Sequence, residues 1–92
     1  MEEKKILVLG RRDHTEAMRV AAGLTIFGHE VRLVFMTGPV ADTDENAAQA
    51  ELLELSDIVP ETTVEEMADD LAFLDAGALG EAIASADRVV NL

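Results

Sequence analysis

The stretch KKILVLGRRDHTEAMRVAAGLTIFGHEVRLVFMTG, Lys4 to Gly38, decides the fold. Its opening, KKILVL from Lys4 to Leu9, is a short run of branched apolar side chains that stops at Gly10, the pattern of a strand buried on both faces. Ala17, Val20, Ala21, Leu24 and Phe27 then recur at helical spacing. Asp13 and Glu16 fit a capping box at the start of that helix, and Gly28 stands where a C-terminal glycine is expected. EVRLVFM, Glu30 to Met36, is a second strand closed by Thr37, Gly38 and Pro39. Two buried strands joined through a helix must run parallel, because a parallel pair needs a crossover connection.

Outward from this unit, TGPVADTDEN leads into a second helix expected to turn Ala48, Leu52 and Leu55 inward, with acidic residues early, where they complement the helix dipole. SDIVPE, Ser56 to Glu61, reads as a weaker third strand ended by Pro60, which lacks a backbone donor. Thr63 and Glu66 suggest another capping box, and Val64, Met67, Ala68, Leu71 and Leu74 the buried stripe of a third helix stopping near Gly77. A short helix with Leu79, Ala82, Ile83 and Ala86 inward leads to a last strand, DRVVNL. The order β-α-β-α-β-α-α-β predicts a small flavodoxin-like or Rossmann-like α/β domain over residues 1–92. Its mostly parallel sheet should have four or five strands, with helices on both faces.

The chain has 92 residues, 49% of them apolar, enough for one small domain that buries roughly two-thirds of its unfolded surface. With three Phe and no Trp or Tyr, the core is aliphatic, and a domain of this size gains from oligomerising. No window approaches the roughly 20 apolar residues of a membrane span. The start MEEKKILVLG lacks the pattern of a signal peptide, so a cytoplasmic location is expected. The net charge is −12, and it is uneven. Residues 1–40 carry six Lys/Arg against five Asp/Glu, while residues 41–92 carry one against fourteen. Such a field repels nucleic acid and anionic membranes, and it reads either as solvated helix faces or as a docking face for a basic partner.

Ligands of an open parallel sheet bind beyond the carboxyl ends of its strands, here Gly10 to His14, Thr37 to Val40 and Pro60 to Thr63. The candidate ligand-binding set is therefore Gly10, Arg11, Arg12, His14, Thr15, Thr37, Gly38, Glu61 and Thr62. Arg11, Arg12 and the free N–H groups of a helix start would suit phosphate, sulfate or a carboxylate. Ordinary capping is the competing reading, since Asp13 would occupy the anion's place. Only Gly10 is present where a dinucleotide fingerprint wants three glycines, and no phosphate-binding Gly-Lys-Ser/Thr loop occurs.

Other chemistry finds little footing. His14 lacks a visible partner for general-base work. The only other histidine, His29, is expected at the opposite edge of the sheet, so no metal site is expected. DHTEAM departs from a cobalamin-binding loop because Asp13 and His14 are adjacent. The carboxylates of EEMADD read as a solvated face, and no cofactor is expected. Cysteine is absent, which excludes disulfides, thiolate sites and any persulfide on this chain.

Across nearly the whole chain, the first strand with its polar loop and Ala-rich helix, GHEVRLVFMTGPV, the acidic turn and ALGEAIASADRVVNL resemble the DsrE-like small sulfur-relay proteins. The resemblance implies a flavodoxin-like domain that assembles into homo- or hetero-oligomers, such as a dimer, trimer or hexamer. In active members it implies sulfur carried as a persulfide on a cysteine near the end of the third strand. The corresponding region here, DIVPETTVEE from Asp57 to Glu66, has no thiol. The expectation is a non-catalytic homo-oligomer that binds a partner protein, in a sulfur relay among other settings, or a small ligand. The alternative is a sensor or enzyme for a small anionic metabolite or nucleotide, using the loop after the first strand.

Overall fold

The computed structural model describes residues 4–92; Met1 to Glu3, where the signal-peptide reading begins, lie outside the described residues. β1, Lys5–Gly10, is the central strand expected of its sequence. Ile6, Leu7, Val8 and Leu9 are all buried, because neighbouring strands lie on both edges and helices on both faces. The sheet has five strands, all parallel, in the order β4-β3-β2-β1-β5. β2 is Glu30–Phe35, β3 Glu61–Thr62, β4 Ala72–Phe73 and β5 Arg88–Asn91.

The helices fall on the faces that right-handed crossovers require. Passing from β1 through α1, His14–Ile26, to β2 and through α2, Asp44–Leu55, to β3, the chain steps one way across the sheet. Both helices therefore pack on one face, where Ala17, Met18, Ala21, Ala22 and Leu53 meet Ile6, Val8, Leu33 and Phe35. From β4 the chain steps back across β1 to β5, so α3, Ala76–Ser85, covers the other face through Ala82, against Leu7, Leu9 and Val34. The run β3-β2-β1-β5 follows the Rossmann order 3-2-1-4, with β4 added outside β3. Leu7, Val8, Leu33 and Val34 have at most 1% of their surface exposed, and burying each such side chain stabilises by roughly 1.5–3 kcal/mol.

Several expectations are corrected by the packing. SDIVPE is not the third strand, because Ser56, Asp57 and Ile58 are the cap of α2. Asp57 is left-handed at φ 58°, its N–H donates to Glu54 O at 3.1 Å and that of Ile58 to Leu53 O at 2.9 Å. This Schellman arrangement brings Ile58 back onto Leu53 in the core. Pro60 accordingly precedes β3 instead of ending it.

The same cap fixes the rotation of α2. Leu53 and Asn46 face inward, whereas Ala48, Leu52 and Leu55 face solvent. In α1, Phe27 is the C-cap residue and stands outside, with Gly28 at φ 87° just beyond it, as expected. Ile83 on α3 is also exposed.

The third helix expected over Val64 to Leu74 is a single 3-10 turn, Glu65–Met67, followed by β4. Asp69 and Asp70 would stand side by side in the middle of that helix, where Asp is a poor helix former. Met67 and Leu71 still pack against the core. Thr63 does not cap the turn; the residue before it is Val64, with no side-chain cap.

Candidate functional site

The strand order reverses between β1 and β5: the chain leaves β1 for β2 on one side and returns from β4 to β5 on the other. Ligands of open α/β sheets bind beyond the carboxyl ends at such a switch point. Here Arg11, Arg12, Asp13, Asn91 and Leu92 line a cavity of about 400 Å³.

Gly10 makes the turn into it possible. A Cβ there would stand 3.1 Å from Ala17 Cβ, 3.4 Å from Phe35 and 3.5 Å from His14, so glycine lets α1 approach the strand end. Beyond Gly10 the chain bends through Arg11 and Arg12 to Asp13, whose carboxylate accepts the Glu16 N–H at 3.0 Å. The N-cap is thus as expected, but the return half of the capping box is absent. Glu16 instead pairs with Arg19, one hydrogen bond being 2.9 Å from Arg19 Nε. That hydrogen bond holds the Glu16 carboxyl below its usual range and raises Arg19.

The loop N–H groups expected to be free are already taken in part. Arg12 and Asp13 both donate to the Leu92 carbonyl, at 2.9 and 3.0 Å, while Leu92 N–H donates to Leu9 O at 2.9 Å. The loop is therefore tied to the end of β5 by backbone hydrogen bonds. What it presents to solvent are side chains. Arg11 and Arg12 are exposed, and among the described residues neither guanidinium forms an ion pair or a hydrogen bond.

Gly10, His14, Thr15, Thr37 and Gly38 are held in or beside the loop but do not line the cavity. Thr37, at φ 76°, donates through its hydroxyl to the Arg11 carbonyl and closes the loop on the β2 side. A β-branched residue in that region is strained, typically by about 1–3 kcal/mol. Gly38 follows, half-buried, with no packing demand on its missing side chain. His14 Nε2 lies 3.0 Å from Met36 O and so carries the proton, its ring set edge-on to Phe35 at 5.3 Å. Thr15 donates to the Asn46 side-chain oxygen, and Asn46 Nδ2 to Ala41 O at 2.8 Å, which ties α1 to α2.

Glu61 and Thr62 belong to a different part of the structure. Glu61 forms a two-pronged ion pair with Arg32, at 2.9 and 2.8 Å, which raises the Arg32 pKa through the hydrogen bond to Glu61. Its register partner is Val34, so the pair lies on the α3 face of the sheet. Thr62 is fully buried; its hydroxyl donates to Phe35 O at 3.0 Å and accepts from Val64 N–H at 2.9 Å. The end of β3 thus supplies packing, with no group turned to the cavity.

Asn91 and Leu92 are the cavity residues that the sequence reading missed. The carboxyl-end rule holds for the last strand too, though its end was not among the expected positions, and only the sheet order brings it beside β1. His29, by contrast, accepts from Lys4 N–H at the amino-terminal edge, as expected. Among the described residues, no group of three or more His, Asp or Glu side chains could hold a metal ion, and no helix is long and apolar enough to cross a membrane. No family model, curated protein or solved structure matches this chain.

Proposed function

We propose that this chain is a non-catalytic binding domain that works as a homo-oligomer, the DsrE-like kinship being part of the same reading. The observation that carries it is the placement of the aromatic side chains. Of three phenylalanines in a chain with no other large aromatic, only Phe35 is buried, while Phe27 is 69% and Phe73 45% exposed. Large apolar side chains left outside a core-poor domain gain most from a second subunit, since burying one completely stabilises by at most roughly 1.5–3 kcal/mol and these are already partly covered. The missing cysteine removes persulfide transfer through this chain, so a place in a sulfur relay would be that of a partner subunit. Sedimentation equilibrium across the micromolar range should give a dimer, trimer or hexamer, and Phe27→Ser with Phe73→Ser should shift it to monomer. A wild-type protein that stays monomeric overturns the proposal.

A second reading, an anion sensor or an enzyme acting on a small anionic metabolite, is favoured by the cavity at the β1–β5 switch point. Arg11 and Arg12 supply positive charge there without a counter-charge among the described side chains other than Asp13. Phosphate or a nucleotide should then raise the melting temperature, and Arg11→Ala with Arg12→Ala should abolish the rise. A panel of phosphorylated and carboxylated metabolites that gives no shift with wild type removes this reading and leaves the first intact.

A further inference from the structure

We infer that the outer face of α2 is a docking surface for a basic, amphipathic helix of another protein. The fold uses one face of the helix and leaves an apolar stripe on the other. Leu53 lies in the core beside Asn46, with Gln49 half-buried between them, and the Gln49 side-chain oxygen is buried without a hydrogen-bond partner. On the far side, Ala48, Leu52 and Leu55 fall within about 60° of arc at 3.6 residues per turn. Leu52 is 44% and Leu55 83% exposed, and Val59, just past the cap, is 79% exposed. Single exposed leucines are common on monomers; here the exposed apolar side chains share one helix face, while the opposite face buries Asn46 and the Gln49 oxygen.

Charge selects the occupant. Asp44, Glu45, Glu51 and Glu54 are exposed around the stripe, and α2 has no basic residue. A second copy of this helix would set these carboxylates against their own kind, which like-charge repulsion disfavours. Residues 41–92 offer one Arg against fourteen acids, and Arg19 and Arg32 are already paired with Glu16 and Glu61. A helix with leucine-like anchors at i, i+3, i+4 and i+7, flanked by Lys or Arg, satisfies the stripe and its border together. Its residues are other than Phe27 and Phe73 and other than those that line the cavity.

The test is fluorescence anisotropy with a labelled Leu/Lys peptide of about 18 residues, five helical turns, its leucines at helical spacing. A peptide of the same composition with scrambled leucines is the control, both at about 150 mM salt so that unspecific attraction is screened. The patterned peptide should bind saturably, and about tenfold more tightly than the scrambled one. Leu52→Ser with Leu55→Ser should weaken it about tenfold, and Glu45→Gln with Glu51→Gln several-fold, with unchanged circular dichroism and melting in both variants. Equal binding of the two peptides, or unchanged binding by the leucine variant, overturns the inference. So does wild-type self-association that the leucine variant abolishes, since a second copy would then be the occupant.

Discussion

Replacing glycine by alanine at positions 10 and 23 should change stability in opposite directions. At Gly10 the new Cβ would meet Ala17 Cβ at 3.1 Å and Phe35 at 3.4 Å. Ala17 is wholly buried in the first turn of α1, and that turn is held to β5 through the Arg12 and Asp13 hydrogen bonds to Leu92. Neither neighbour can move without shifting the helix, and overpacking of this kind costs roughly 1–3 kcal/mol. The lower conformational entropy of alanine in the unfolded chain returns about 0.5–1 kcal/mol, leaving a net loss of about 1 kcal/mol. Gly23 lies inside α1 with nothing within 4 Å of its missing Cβ. There the better helix propensity of alanine is unopposed, a gain of about 0.8–1 kcal/mol.

For a domain of this size about 1 kcal/mol moves the melting temperature by roughly 4–8 °C. Urea unfolding followed by circular dichroism should show a lower midpoint for Gly10→Ala and a higher one for Gly23→Ala, with m unchanged. Stabilisation by both substitutions would mean that the contact between β1 and α1 is looser than 3.1 Å implies, and would remove the packing account of Gly10.

Three further outcomes are expected. Asp57→Gly should stabilise by about 0.5 kcal/mol, because glycine adopts the left-handed cap without strain, and Asp57→Val should destabilise by more than about 1 kcal/mol; the same urea midpoints check both. The Glu16 carboxyl is held below its unfolded value, so its pairing with Arg19 contributes above the unfolded pKa and is lost as pH falls through the folded one. Wild type and Glu16→Gln should therefore differ in melting temperature near neutral pH and converge in acid; a constant difference down to pH ~2 would refute this. Arg32→Ala and Glu61→Ala in a double-mutant cycle should show a coupling of about 0.5–1 kcal/mol, discounted because the side chains are 45% and 17% exposed, and it should shrink with added salt. No coupling would mean that the pair does not help hold β3 to β2.

The β1-α1-β2 unit was legible because each of its signals is local. The run Ile6 to Leu9, the Asp13 cap and Gly28 at the helix end act within a few residues of themselves. The same is true of the loop carrying Arg11 and Arg12. Legibility failed over residues 56–74, where the outcome depends on distant partners. Ile58 is apolar as a strand residue would be, but Leu53 draws it into a helix cap. Val64 to Leu74 has a helical stripe, yet Asp69 and Asp70 in its middle disfavour the helix, and the chain places Ala72 and Phe73 in the sheet.

The sequence by itself determined an acidic, cysteine-free α/β domain with a basic loop after its first strand, because composition and short-range periodicity are properties of the chain alone. Only the tertiary structure decided that β5 lies beside β1, which makes Asn91 and Leu92 the walls of the Arg11–Arg12 cavity. It also decided which face of α2 turns inward. Both are questions of which surface meets which. Residues far apart in the chain answer them by competing to be buried, and the spacing of any one segment leaves that competition open.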